Sequence, residues 1–254
     1  MVIMEIFPNP TVRQVIFQIT FPNLFYLEGR IGSIQQKIMN EFPKSELIYR
    51  KRLLLGNIGP ELKIDPKDAE NVPASKIWQF ESRNKTKLSI TTNSLDMTSE
   101  FHKTYNLGEE EGKKFRHAIE NAVGAFIEIA ELPIINRIGL RYIDFCPLPK
   151  RNNKTLKKYY NSKFPLNKFE IADAETMAFQ TIVKKGQYNL GYMETLKQVD
   201  GEDKIILDFD GSATDIKASE YLATTDKLHD LISEAFAETI RDPVYDHMRR
   251  SPEG

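Results

Sequence analysis

The sequence has 254 residues, of which 41% are hydrophobic and 28% are charged. This composition is typical of a globular protein and is too hydrophobic for a disordered one. The 35 basic and 36 acidic side chains nearly cancel, which excludes a global field that would draw the protein to nucleic acid or to membranes. The single cysteine, Cys146, excludes an internal disulfide.

The first part of the chain predicts two helices and four strands. Apolar residues alternate over 12–21, which predicts a half-buried strand. Asn23 is a candidate N-cap for a helix whose apolar residues recur every three or four positions up to Phe42. Strand-like runs follow at 46–55, 76–81 and 87–94. Residues 56–75 form a long predicted loop, which is uncommon unless it is functional or mobile, and a second helix is predicted from Gly108 to Pro133.

The second part of the chain repeats this order. A strand is predicted over 137–145, a short helix over 154–160, and three strands over 177–183, 188–196 and 205–210. A last helix carries apolar residues from Leu228 to Ile240, and Asp242-Pro243 interrupts it. The matching order predicts two β-α-β-β-β-α halves, 1–133 and 134–254, in one compact α+β unit. The alternative is that loosely defined elements agree by accident.

Each half would have a sheet with one apolar face and two helices to cover it. The two sheets could join edge to edge into one curved, mainly antiparallel sheet that is covered by helices on one face. TATA-binding-protein-like and helix-grip folds have this architecture, which by itself implies no function.

Three carboxylates of the second half form a candidate ligand site. Asp208 and Asp210 are two residues apart on a predicted strand and so share a face, and Asp144 ends the first strand of the same half. Three carboxylates on one face could bind Mg²⁺ or Mn²⁺. The alternative is that they are ordinary acidic residues on a solvent-facing strand.

Two arginines of the same half complete this candidate site. Arg137 and Arg141 also share one face of a predicted strand, where two guanidinium groups could bind a phosphate or a carboxylate. The alternative is that they pair across strands with Asp208 and Asp210. We assign no metal and no other cofactor to the sequence.

The segment Lys150–Phe169 is strongly basic and contains no acidic residue. Lysines interleaved with aromatic residues suit phosphate contact and base stacking. They predict a site for nucleic acid or another anionic partner, formed by Lys154, Lys157, Lys158, Tyr159 and Tyr160. A solvated insertion whose aromatic rings pack on the core explains the segment equally well.

No catalytic residues are identified by pattern. The four histidines lack the spacing of metal ligands, and nothing in the sequence connects Cys146 to a histidine base. No secretory signal is visible at residues 1–5, and no apolar run approaches the roughly 18 residues that span a bilayer. We therefore expect a cytoplasmic protein with no membrane contact, and a homodimer is compatible with the sequence.

The segment Arg137–Asp144 (Arg-Ile-Gly-Leu-Arg-Tyr-Ile-Asp) resembles the most recognisable part of a sporadically distributed prokaryotic family. Members of that family have about this length and no assigned activity. Further matching pieces lie along nearly the whole chain: Phe21-Pro22, Ile31-Gly32, Gln35, Phe42-Pro43, Trp78, Phe80, His229-Asp230 and Phe236. Asp144 departs from the pattern, since the family more often has asparagine there. The resemblance implies common ancestry but no particular activity. A patchy distribution fits an accessory or defence-associated gene.

Two functions follow as alternatives. The first is a binding or interaction module without catalysis, which holds a nucleic acid or a protein through the sheet or the basic segment. The second is a metal-dependent enzyme that acts on a phosphate-bearing substrate or a nucleic acid. In the second, Arg137 and Arg141 would hold the anion, and the aspartates would bind the metal or act as general bases.

Overall fold

The computed structural model describes residues 5–51 and 74–251 of the chain. The predicted loop at 56–75 therefore lies almost entirely outside the described residues. The strands are β1 (Val12–Thr20), β2 (Lys44–Lys51), β3 (Ala74–Glu81), β4 (Lys87–Ile90), β5 (Ser94–Ser99), β6 (Ile134–Pro147), β7 (Met177–Lys185), β8 (Tyr188–Val199) and β9 (Glu202–Lys217). The helices are α1 (Leu27–Ile38), α2 (Phe115–Ala130), α3 (Asn153–Tyr159), α4 (Tyr221–Thr239) and α5 (Asp242–Arg249).

All nine strands form one antiparallel sheet in the order β2-β3-β4-β5-β1-β6-β9-β8-β7. The predicted α+β class is confirmed. The central pair is β1 with β6, and Phe17 lies opposite Leu140 in its register. The neighbours of this pair are β5 on one side and β9 on the other, so residues from both parts of the chain meet in the middle of the sheet.

Within the described ranges, the helices pack against one face of the sheet and leave the other uncovered. Val15, Phe17 and Ile19 of β1 are buried, whereas Gln18 is half-buried. This alternation follows from the two-residue period of a strand, which sends successive side chains to opposite faces. We call the face that packs against helices the helix-covered face and the opposite face the outer face. Helix α4 packs on β6 and β9, and α1 packs against α2.

Three helix boundaries differ from the sequence prediction. Helix α1 begins at Leu27, four residues after the predicted cap Asn23. Helix α2 begins at Phe115, later than the predicted start at Gly108, because the backbone of Lys114 is extended, with φ of −89° and ψ of 122°. Asp242-Pro243 does not end the helical region but begins α5, since proline fits the first turn of a helix.

The predicted strand at 87–94 is two strands. Residues between Ile90 and Ser94 form a tight turn in which the backbone N–H of Ser94 donates to Thr91 Oγ1 at 2.9 Å. The chain then returns as β5, which pairs with both β4 and β1. The part of the sheet before β6 therefore has five described strands, one more than the prediction.

Candidate functional site

Four of the five residues of the predicted ligand site lie together on the outer face. Arg137 and Arg141 come from β6, and the two aspartates come from the adjacent strand β9. Arg141 Nε and Nη2 donate to the two carboxylate oxygens of Asp208 at 2.8 and 2.5 Å. Arg137 Nη2 lies 3.4 Å from Asp210 Oδ2. This is the cross-strand pairing that the alternative interpretation predicts.

The ion pairs continue into a polar network across neighbouring strands. Arg137 Nη1 donates to Gln18 Oε1 on β1 at 3.2 Å, and Gln18 Nε2 donates to Asp96 on β5. Gly139 makes room for this arrangement, because a Cβ there would lie 2.7 Å from Arg137 Nη1. Both guanidinium groups are therefore held by partners of the protein itself. The hydrogen bond to Asp208 also raises the pKa of Arg141.

Asp144 does not join this group, which corrects the expectation of three carboxylates on one face. It lies opposite Leu207 in the β6–β9 register, whereas Arg141 lies opposite Asp210. Since paired residues point to the same side of a sheet and successive residues alternate, Asp144 is on the helix-covered face. Its side chain is buried. Among the described residues, no group of three or more histidine, cysteine, aspartate or glutamate side chains is arranged to hold a metal.

Asp144 instead lies in the wall of a cavity between α4 and the centre of the sheet. The cavity has a volume of about 380 Å³, which falls in the range of small-molecule sites. Five segments that are distant in sequence line it: residues 5–12, residues 103–107, Tyr142 and Asp144 of β6, residues 226–236 of α4, and Met248 of α5. Most of its surface is apolar.

Aromatic rings form one wall of the cavity. Tyr105 stacks on His229, with ring centroids 4.2 Å apart and planes at 12°. Tyr142 meets the same histidine edge-on at 6.0 Å. Asp226 fixes Tyr105, whose hydroxyl donates to it at 2.6 Å, and Arg116 Nε donates to the same carboxylate at 2.8 Å. Burial lowers the pKa of His229, so its ring is neutral at pH 7.

The electrostatics of Asp144 are unusual for a carboxyl group. Burial raises its pKa from 3.8 to about 7, against opposing effects of a Thr11 hydrogen bond and of nearby Lys103. Thr11 Oγ1 donates to Asp144 Oδ1 at 2.8 Å. Lys103 Nζ donates to the carbonyl oxygen of Val12 at 2.9 Å. Within the described part of the chain, no cation lies within 4.0 Å of the Asp144 carboxylate.

The Tyr142 hydroxyl is the second polar group of note in this wall. Among the described residues, it is the one buried side-chain oxygen or nitrogen atom without a hydrogen-bond partner. Burial and the neighbouring Asp144 raise its pKa, so the hydroxyl stays protonated. An unpaired buried hydroxyl costs roughly 1–3 kcal/mol. A molecule that reaches this oxygen with a hydrogen-bonding group would remove that cost.

The predicted anionic-partner site lies on and after α3. Lys154, Lys157 and Lys158 are exposed, and no described residue forms an ion pair with any of them. The two tyrosines are positioned differently. Tyr160 is almost completely buried and its hydroxyl donates to the carbonyl oxygen of Pro147 at 2.5 Å, so its ring is closed to a base. Tyr159 is half-buried and tilted against it.

Glu194 of β8 holds the chain that follows α3. This glutamate is fully buried on the helix-covered face. It accepts hydrogen bonds from Ser162 Oγ at 3.0 Å, from the backbone N–H of Lys163 at 2.5 Å and from Tyr192 Oη at 2.8 Å. Burial raises its pKa, and these donors oppose that shift. The basic segment is thus bonded to the sheet through a buried carboxyl group.

Comparisons with known proteins add no relative. A scan of the sequence against protein-family models gives no match, and a search of curated proteins gives none either. The family resemblance stays a prediction. No helix in the described ranges is long and apolar enough to cross a membrane.

Sequence reasoning found Asp144 but missed most of the residues that surround it. Tyr142 and His229 were visible as parts of the matching segments Arg137–Asp144 and His229-Asp230. Phe236 was visible in the same way, and all of them line the cavity. Tyr105 and Asp226 carried no signal, because only tertiary packing brings them to this place.

Proposed function

We propose that this protein is a binding module without catalysis and that the cavity beneath α4 is its ligand site. The observation that carries the proposal is the pair of buried polar groups on β6, the Tyr142 hydroxyl and the Asp144 carboxyl, in a mostly apolar wall. Small-molecule sites combine such a wall with a few convergent polar groups. Some residues of the segments that resemble the prokaryotic family also line this cavity, which supports the same site.

The alternative enzyme on a phosphate-bearing substrate has less support. Arg137 and Arg141 are paired with Asp210 and Asp208, so an incoming phosphate would have to displace carboxylates from both arginines. The cavity is no better suited to phosphate. Its lining contains four acidic side chains, Glu5, Asp144, Asp226 and Asp230, against the single lysine Lys103.

Binding in the cavity can be tested with benzamide, a flat neutral probe with a polar end. Ligands of this size gain only a few tenths of a kcal/mol per atom or somewhat more, so a dissociation constant on the order of 1 mM is expected. We expect saturable shifts of backbone amide signals at Tyr105, Tyr142 and His229 in ¹⁵N-labelled protein.

A cavity-filling variant provides the control. Val12 is buried in the wall, and Val12→Phe places a ring in the space that the probe would occupy. Val199→Phe makes the same change at the end of β8, away from the cavity. We expect Val12→Phe to abolish the shifts and Val199→Phe to preserve them. Saturable shifts confined to other residues, or no binding at all, would contradict the proposal.

A second candidate function is contact with an anionic partner through the basic segment. Lys154, Lys157 and Lys158 are exposed and form no ion pair with any described residue, which favours it. Single-stranded RNA in the presence of EDTA is a suitable probe, with neutralisation of all three lysines to glutamine as the variant. This candidate predicts salt-sensitive binding that the variant loses. Binding that is unchanged in the variant, or that no RNA shows, would remove it.

We also propose that the chain is an internal duplication with a TATA-binding-protein-like or helix-grip-like arrangement, and that it acts in the cytoplasm as an accessory or defence-associated protein. The strand order supports the first point. The central pair β1 and β6 consists of the first strand of each part of the chain, and outward from it each side of the sheet runs from the last strand of its part back to the second. Housekeeping neighbours of the gene in many genomes would contradict the accessory role.

A further inference from the structure

We propose that the ligand of the cavity carries a protonated nitrogen group on a flat apolar body, and that this group binds between the Asp144 carboxylate and the Tyr142 hydroxyl. This inference rests on the proposed function and names the chemical class of its ligand.

The charges of the lining favour a cation. Three of its four carboxylates have cationic partners: Arg116 bonds Asp226, Arg249 bonds Glu5, and Lys227 Nζ lies 3.7 Å from Asp230. Asp144 is left without a cation within 4.0 Å among the described residues, and the pKa of Lys103 in the same lining is lowered by burial and by Arg13. A positive group of a ligand would therefore supply the close cationic partner that Asp144 lacks, whereas an anion there would be repelled.

Asp144 has hydrogen-bonding capacity left for such a group. A carboxylate offers about four acceptor positions, and Thr11 Oγ1 uses one of them. The Tyr142 hydroxyl, two residues earlier on the same strand face, has no partner among the described residues. A planar cation such as an amidinium presents several N–H donors in a fixed fork, which suits a carboxylate and a phenol oxygen that lie on the same face of one strand.

The rest of the wall suits the apolar body of the ligand. The Tyr105–His229 stack and the Tyr142 ring offer flat surfaces, and Ile232 and Phe236 add apolar contacts from α4. Tyrosine faces also attract cations when the site is shielded from water. The wall therefore favours a ligand whose body is flat and apolar over a ligand whose body is strongly hydrated.

Three probes of nearly equal size and shape, benzamidinium, benzamide and benzoate, separate the effect of ligand charge on affinity from the effect of ligand shape. Calorimetry at pH 8 should give benzamidinium an affinity at least about tenfold higher than benzamide, because the ion pair with a buried carboxylate is added to the same contacts. Benzoate should bind more weakly than benzamide. Asp144→Asn, which keeps the shape of the side chain, should reduce the preference for benzamidinium to about twofold or less.

The binding should also depend on pH. The charged and titratable groups around Asp144 are Lys103 from the 103–107 loop, Asp208 from β9, and Tyr142 and Cys146 from its own strand. With a pKa of about 7, Asp144 is mostly protonated at pH 6 and mostly ionised at pH 8. The affinity for benzamidinium should therefore fall about tenfold from pH 8 to pH 6, while that for benzamide should change little.

Two further variants make the outcome decisive. Tyr142→Phe should weaken both benzamide and benzamidinium several-fold without removing the preference between them. Asp210→Asn, the same change on the outer face, should alter neither affinity. Binding of benzamide in the cavity without a preference for benzamidinium would overturn this inference and leave the proposed function standing. Failure of all three probes to bind would overturn both.

Discussion

Asp144 is the residue whose environment has the clearest consequence for stability. Its pKa is raised from 3.8 to about 7 in the folded protein by burial, so between these values the folded state binds the proton more tightly than the unfolded chain. A raised carboxyl pKa therefore contributes stability at low pH that is lost as pH rises toward 7 and above. This contribution amounts to about 2.6 kcal/mol between pH 5 and pH 8.

Asp144→Asn isolates this effect, because asparagine keeps an acceptor for Thr11 but does not titrate. Relative to the unmodified protein, the free energy of unfolding of the variant should rise by about 2.6 kcal/mol from pH 5 to pH 8. Urea titrations of both proteins at the two pH values measure it. A difference that is the same at both pH values would show that Asp144 titrates normally.

For Tyr142 we expect that removing the polar group does not lower stability, because its hydroxyl is buried without a partner among the described residues. Removing such a group removes a desolvation cost, so Tyr142→Phe should leave the free energy of unfolding unchanged or raise it by about 1 kcal/mol. Tyr160→Phe is the matched control, since it removes a hydroxyl bonded to Pro147 and should cost about 1 kcal/mol. Equal losses in both variants would mean that the Tyr142 hydroxyl is bonded.

At the scale of elements, the attachment of the segment after α3 depends on Glu194. Glu194→Ala removes the acceptor for Ser162, Lys163 and Tyr192. We expect a loss of about 1–3 kcal/mol in unfolding free energy and faster tryptic cleavage after Lys157, Lys158 and Lys163. Glu234→Ala, at an exposed position of α4, serves as control. Cleavage at an unchanged rate would show that other contacts hold the segment.

The strands were predictable from sequence where alternation is strong, as in β1 with Phe17 and Ile19. Two elements were missed for identifiable reasons. The turn before Ser94 is so short that the sequence of β4 and β5 predicts one continuous strand. Helix α5 was not predicted because Pro243 can end one helix or begin the next, and the burial of Val244 and Met248 that favours the helix is a result of tertiary packing.

The site was predictable only in part. The face shared by Arg137, Arg141, Asp208 and Asp210 follows from the strand period, and their mutual pairing was an open alternative. Asp144 was placed on the wrong face, because its position relative to Asp208 depends on the register of β6 against β9. The cavity itself needs the assembly of five segments between residues 5 and 248, and no local pattern carries that information.

At the scale of the whole molecule, one sheet runs through both predicted halves. Since β1 is bonded on both sides, to β5 and to β6, separating the halves would expose the central strands. We expect one cooperative unfolding transition. Trp78, the single tryptophan, reports on β3, while far-ultraviolet circular dichroism reports on the whole chain. Their urea midpoints should coincide, and two separate midpoints would show that the halves fold independently.

The most direct test of the ligand site is to locate a bound probe by nuclear Overhauser effects. In protein saturated with benzamide, the ring protons of the probe should show contacts to side-chain protons of Tyr105, Ile232 and Phe236, all of which line the cavity. Contacts instead to Ile143 or Ile206 on the outer face, or no contacts at saturation, would contradict the account.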